Sequence, residues 1–298
     1  MPVSALSPGF RVGHWTAPGG ETGCTVILPP AGNVSSYDIR GSSPGSRELA
    51  PLDLERQRTE IHGLLFTGGS AFGLAAADGV MAWLEERSVG FRTPIATIPI
   101  VPAAVIFDAS AGQPEIRPGP AAGRAACENA VDSPVTTGRV GAGAGATVGK
   151  WAGHEYLVFG GLGIAAATDG DLEVRALAVA NPFGDVMATD GTVLAGTTHP
   201  SPAYRPPPAQ PETGWNTVLV VVTTIAALAK ADVRFLAARA SDGITRAVRP
   251  AHTRYDGDIA FAIASPAGPG RVASAADLDR LAVLATDATA EAIRSAVG

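Results

Sequence analysis

The chain has 298 residues, of which 46% are hydrophobic and only 17% charged. This supplies a large core and excludes intrinsic disorder. Lys plus Arg number 22 against Asp plus Glu 28, a net charge of −6, and no basic stripe runs along the sequence, which argues against nucleic acid and anionic membranes as partners.

Gly 36 and Pro 24 imply many tight turns and close backbone approaches. Cys24 and Cys127 lie far apart and make no disulfide framework, so a reduced cytoplasm is the expected setting. Met1–Pro8 has neither a basic start nor an apolar stretch, and no signal peptide is expected. The longest apolar run, Val218–Ala229, is too short to span a bilayer, and a soluble protein is expected.

In chain order, Cys24–Leu28 and Ile61–Phe66 read as short strands bounded by turn residues. Gly73–Glu86 carries Leu74, Ala77, Val80, Met81 and Leu84 near a helical period. Ala103–Phe107, Glu155–Phe159 and Val174–Ala180 again read as strands. Gly196–Gly214 holds six prolines and reads as an extended exposed linker. It feeds directly into Val218–Val222, an all-aliphatic strand of the buried type. Ala226–Val248 is a helical pattern with an interruption expected near Gly243. Ile259–Ala264 is a strand, and Ala275–Val297 the cleanest helix. Strands and helices mix without a regular βαβ alternation, which predicts a layered α/β or α+β architecture.

Formal motifs fail on inspection. Gly141–Ala146 fits a dinucleotide pattern but precedes no clear helix. Gly41-Ser42-Ser43-Pro44-Gly45 fits a nucleophile elbow, yet no strand leads into it, and a turn is expected. His14, His62, His154, His199 and His252 show no metal spacing, so no metal site is expected. Asp256-Gly257-Asp258 lacks the remaining ligands of a calcium loop and reads as a turn opening the next strand.

The linker–strand junction carries chemistry. A threonine hydroxyl needs a base within reach to act as a nucleophile. An α-amine on the same residue, with a pKa of about 8, is such a base. Breakage of the Asn216–Thr217 bond would free that amine on Thr217, at the head of a buried strand. Taken alone, Asn-Thr before an apolar strand is common and reads as an ordinary strand start.

Further blocks bear on the choice. Arg11-Val12-Gly13-His14, Gly23–Leu28, Asp38-Ile39-Arg40-Gly41-Ser42-Ser43-Pro44-Gly45-Ser46-Arg47-Glu48, Thr67–Leu74, Gly141–Ala146 with Lys150, Ala180-Asn181-Pro182 and Gly214-Trp215-Asn216-Thr217 stand in this order. Together they resemble the DmpA family of N-terminal-nucleophile aminopeptidases. That family includes β-aminopeptidases, D-aminopeptidase/esterases and 6-aminohexanoate-oligomer (nylon-oligomer) endo-hydrolases. The resemblance implies an αββα layered sandwich of the Ntn type, shared with ornithine acetyltransferases. It implies one domain over residues 1–298, self-cleaved into 1–216 and 217–298.

Residue by residue, the resemblance makes Thr217 the nucleophile and Asn216 the residue before the scissile bond. Lys150 resembles a lysine beside the nucleophile in the nylon-hydrolase branch. Asn181 resembles an asparagine that donates to the oxyanion. Asp256 and Asp258 resemble an acidic pair of that branch, expected to orient the nucleophile, pair with Lys150 or take a proton. Phe72 stands where many relatives have Tyr, and Phe72 and Gly143 are expected near the substrate. Val218 replaces a second Thr.

The expectation is therefore a self-processing N-terminal-threonine amidohydrolase that uses no metal or organic cofactor. Its substrates would be small amides, short peptides or ω-amino-acid oligomers. A homo-oligomer, typically a tetramer, is implied. Alternatives are an aminopeptidase or D-amino-acid esterase/amidase of the same family, an ornithine-acetyltransferase-like acyl transferase, and an unprocessed scaffold.

Overall fold

The computed structural model describes residues 4–108, 115–200, 216–265 and 273–298. Ten strands build two large sheets: β1 (Arg11–Thr16), β2 (Gly23–Leu28), β3 (Val34–Ile39), β4 (Ser46–Arg47), β5 (Leu64–Thr67), β6 (Ala103–Val105), β7 (Gly161–Asp169), β8 (Leu172–Asn181), β9 (Thr217–Thr224) and β10 (Ile259–Ala264). The first sheet has the order β1-β2-β5-β6-β4 and the second β7-β8-β9-β10-β3. In the second sheet β8 and β9 are antiparallel, whereas β9 and β10 run parallel. Among the described residues, four α-helices flank the sheets: α1 (Ala76–Glu85), α2 (Pro120–Glu128), α3 (Lys230–Ala247) and α4 (Ala275–Ser295).

Side-chain alternation explains the layering. On β9, Leu219 and Val221 join Phe66, Ile106, Leu177 and Phe261 in a core between the sheets. Their neighbours Val218, Val220 and Val222 pack the other way, against Val233, Leu236, Leu281 and Ile293 of α3 and α4. The outer face of the first sheet, with Val26 and Leu65, packs on Val80 and Trp83 of α1 and Ala126 of α2. The result is the four-layer αββα arrangement. Buried on both faces, β9 has no polar alternation, and each such aliphatic side chain contributes about 1.5–3 kcal/mol.

Several expectations change. Gly243 does not interrupt α3. A Cβ there would fall 2.5 Å from the Thr286 carbonyl oxygen, so this glycine lets α3 lie close against α4. The helix starts at Lys230, not Ala226, where the Asp232 carboxylate accepts from the Ala229 N–H. Glu155–Phe159 is not one strand: His154–Tyr156 forms a 3-10 turn and only Val158–Phe159 pairs, with Thr147–Val148. Most of the proline-rich stretch lies outside the described residues, while Thr198 at its start donates to the Tyr156 carbonyl. β1, β3, β7 and α2 were not anticipated.

Candidate active site

Thr217 opens β9 and, by alternation with Leu219 and Val221, faces the gap between the sheets. It is buried, and its Oγ1 donates to the carbonyl oxygen of Asn216 at 2.5 Å. The same oxygen accepts the Gly257 N–H at 2.8 Å. Two donors therefore converge on the carbonyl of the Asn216–Thr217 peptide bond. A fixed main-chain N–H at such an oxygen stabilises negative charge developing there. Only glycine fits, since a Cβ at position 257 would fall 2.8 Å from Thr217 Oγ1 and 2.6 Å from the Ser43 carbonyl oxygen.

Asn181 ends β8 directly opposite Thr217 in the ladder and is fully buried. Its Oδ1 accepts from the Thr147 N–H at 3.0 Å and from Lys150 Nζ at 2.9 Å. Its Nδ2 donates to the Phe107 carbonyl at 3.3 Å. Lys150 follows Gly149, whose φ of 73° turns the chain. The buried ammonium also donates to the Asn181 and Thr147 carbonyls and to Thr147 Oγ1. Burial pulls the Lys150 pKa down to about 7, although the charges of Asp256 and Asp258 oppose this.

The acidic pair addresses mainly the main chain. Asp256 Oδ1 accepts the Phe183 N–H at 3.0 Å, and Oδ2 accepts the Thr253 N–H and hydroxyl. Asp258 Oδ1 accepts the Val218 N–H at 2.7 Å, and Oδ2 accepts from His252. Among the described residues, no hydrogen bond runs from either carboxylate to the Thr217 hydroxyl. Gly257, between them, carries the N–H that meets the Asn216 carbonyl oxygen. Burial and the neighbouring Asp258 push Asp256 up to about 6.

The turn they occupy is clasped by the loop after β3. The Arg40 and Gly41 N–H groups donate to the Asp258 carbonyl and the Ser43 N–H to the Asp256 carbonyl. The formal elbow motif is thus a turn that fixes the acidic turn. Phe72 and Gly143 share no hydrogen bond with this network among the described residues. Phe72 is 66% exposed with the Arg117 guanidinium over its ring at 3.8 Å. Gly143 is buried against Leu162. Near Phe107, Asp108 is buried, takes the Thr22 hydroxyl and the Gly69 N–H, and is pushed up by burial.

Sequence reasoning missed the Gly257 N–H, Thr147, Phe183 and His252. Main-chain donors leave little trace in a sequence beyond a glycine between functional residues. His252, four residues before Asp256, was weighed only as a metal ligand. Among the described residues, no group of three or more His, Cys, Asp or Glu is arranged to hold a metal ion.

Known proteins agree with this architecture. A beta-aminopeptidase from Burkholderia sp. superposes with a TM-score of 0.77 at 23% identity, covering 99% of this chain and 87% of that one. An L-aminopeptidase D-Ala-esterase/amidase from Ochrobactrum anthropi, described as a variant of the Ntn hydrolase fold, gives 0.76 at 20% identity, covering 99% and 86%. These likenesses establish the fold. In sequence, an uncharacterized aminopeptidase of Mycobacterium bovis is 40% identical over 285 residues, covering 87% of this chain and 80% of the relative. A 6-aminohexanoate-oligomer endohydrolase of Agromyces sp. is 33% identical over 283 residues, covering 88% and 76%. The profile of peptidase family S58 matches residues 7–298, and the chain belongs to that family, which is the resemblance read from its motifs.

Proposed function

We propose that this peptidase-family chain cuts itself between Asn216 and Thr217 and then hydrolyses small amides with Thr217 as its N-terminal nucleophile. The observation that supports this most is the convergence of the Thr217 hydroxyl and the Gly257 N–H on the Asn216 carbonyl oxygen. In the cut, Oγ1 bonds to the Asn216 carbonyl carbon while the C–N bond breaks. The hydroxyl proton ends on the departing nitrogen, and negative charge on the oxygen is held by Gly257. Water then hydrolyses the ester, leaving a carboxylate on Asn216 and a free amine on Thr217. Eight residues of β9 buried on both faces keep the new terminus in place.

In turnover, the freed amine takes the hydroxyl proton as Thr217 attacks a substrate amide, and returns it to the leaving amine. Water releases the acyl group. Lys150, poised near neutrality, biases that amine toward its uncharged form when itself charged. Asn181 fixes Lys150 and supplies a carboxamide beside the nucleophile. Substrates in this reading are peptides, small amides or ω-amino-acid oligomers, supported by the aminopeptidase and oligomer-endohydrolase relatives. A homo-oligomer in a cytoplasmic setting belongs to the same reading. The free, buried thiols of Cys24 and Cys127 suit a reducing compartment.

Activity of purified chain on aminoacyl amides and 6-aminohexanoate oligomers tests the reading. Release of free amine by wild type and none by Thr217→Ala is expected. Acyl transfer to an added amine without hydrolysis would replace it with a transferase.

A further inference from the structure

Both ring nitrogens of His252 face acceptors. Nδ1 lies 2.8 Å from Asp258 Oδ2, and Nε2 lies 3.1 Å from the Ser241 carbonyl oxygen on α3. A neutral imidazole carries one N–H and would present a lone pair to one of these oxygens. Only the imidazolium donates to both. The main-chain N–H of His252 also donates to Oδ2, at 3.2 Å. It reaches that atom because His252 holds a φ of 54°, a left-handed conformation uncommon for a residue with a side chain. One strained residue thus aims two donors at one carboxylate oxygen. The other oxygen of Asp258 takes the N–H of Val218, the residue after Thr217.

The charged surroundings fit a cation at this point. Asp258 is its direct partner, with a side chain only 2% exposed. Arg40, on the loop after β3, opposes protonation but is itself paired with Asp38 and with Asp242 of α3, and Asp38 also takes Arg234 of α3. Beyond Asp258 stand Asp256 and Lys150. Burial works against the charged ring, yet the hydrogen bond and charge of Asp258 lift His252 above the ordinary imidazole value.

We propose that His252 is a positioning residue which, as an imidazolium, clamps Asp258 so that this carboxylate holds the Val218 N–H and with it the Thr217 nucleophile. The proposal rests on the Thr217 reading for its consequence but not for its first test. A raised imidazole keeps the clamp complete at low pH and loses it as pH rises through the folded value. The Thr217 amine needs the opposite, a pH high enough to shed its proton. Self-cleavage precedes that amine, so its rate is free of the amine's titration, and the His252 variants separate the limb set by His252 from one set by Lys150.

The test uses the full chain in two arms. In uncut Thr217→Ala protein with labelled imidazole nitrogens, NMR reads the His252 ring directly. Both nitrogens protonated at neutral pH, with a titration above about 6.5 that falls in an added Asp258→Asn substitution, is expected. A neutral ring at pH 6 would overturn the clamp. The second arm follows self-cleavage by intact mass from pH 6 to 10. His252→Asn keeps a donor toward Asp258 and tolerates left-handed backbone, so it should cleave roughly tenfold more slowly and lose the alkaline fall. His252→Ala should be slower by roughly a hundredfold. Equal rates and equal pH profiles in wild type and His252→Asn would also overturn it. A charged ring in a wild type that never cleaves would instead sink the Thr217 reading and leave the clamp on Asp258 standing.

Discussion

The main-chain N–H of Gly257 donates to the carbonyl oxygen of Asn216 at 2.8 Å. That contact joins the head of β10 to the bond before β9 and puts a fixed donor where an oxyanion would form. The parallel pairing of β9 and β10 places it there, for Leu219 is level with Ile259 and the Asn216–Asp256 bridge continues the same register. The site thus grows out of sheet geometry.

Gly257→Ala tests this contact. The added methyl would press on Thr217 Oγ1 and on the Ser43 carbonyl. Self-cleavage followed by intact mass should slow by roughly a hundredfold or more, with the far-ultraviolet circular dichroism unchanged. Cleavage at the wild-type rate would remove Gly257 from the mechanism.

Asn181→Ala takes away the Oδ1 that accepts from Lys150 and the Thr147 N–H. It leaves a buried ammonium with fewer acceptors and costs on the order of 1–3 kcal/mol in urea unfolding. Amide hydrolysis should fall further than that loss of folding explains, by roughly a hundredfold in kcat. A variant that loses stability but keeps kcat would make Asn181 a structural residue only.

Lys150 predicts a stability–pH slope. Folded, it sheds its proton near 7, whereas in the unfolded chain it holds the proton to about 10.4. Between these values the unfolded chain binds more protons, so stability rises with pH across that window. Measured by urea midpoints in uncut Thr217→Ala protein, the chain with Lys150 should gain on the order of 4 kcal/mol over its Lys150→Met counterpart between pH 6.5 and 10. A pH-independent difference would mean that Lys150 titrates as an exposed lysine.

Much of the frame was legible because burial marks it. Val218–Val222 and Ile259–Ala264 are apolar on both faces, and α4 keeps a helical apolar stripe, so these were read nearly to their ends. β4 pairs through Ser46 and Arg47 alone, and β1 mixes Arg11, His14 and Thr16 with apolar residues, so neither carries a clear period. Gly243 misled because glycine lowers helix propensity while here close contact with Thr286 decides. At the site, the residue types of Thr217, Asn181, Lys150, Asp256 and Asp258 were readable. Their hydrogen-bond directions were not, since these depend on which main-chain N–H groups folding brings near. The resemblance led to the expectation that the acidic pair would orient Thr217, pair with Lys150 or take a proton. The folded turn brings the Gly257 N–H to the Asn216 carbonyl oxygen and spends the carboxylates on Phe183, Val218, Thr253 and His252.

Denaturing mass spectrometry of freshly purified wild type beside Thr217→Ala tests the central claim most directly. Two fragments, 1–216 and 217–298, from the wild type and one uncut chain from the variant are predicted. An uncut wild type that hydrolyses amides, or hydrolysis that survives Thr217→Ala, would contradict the assignment of Thr217.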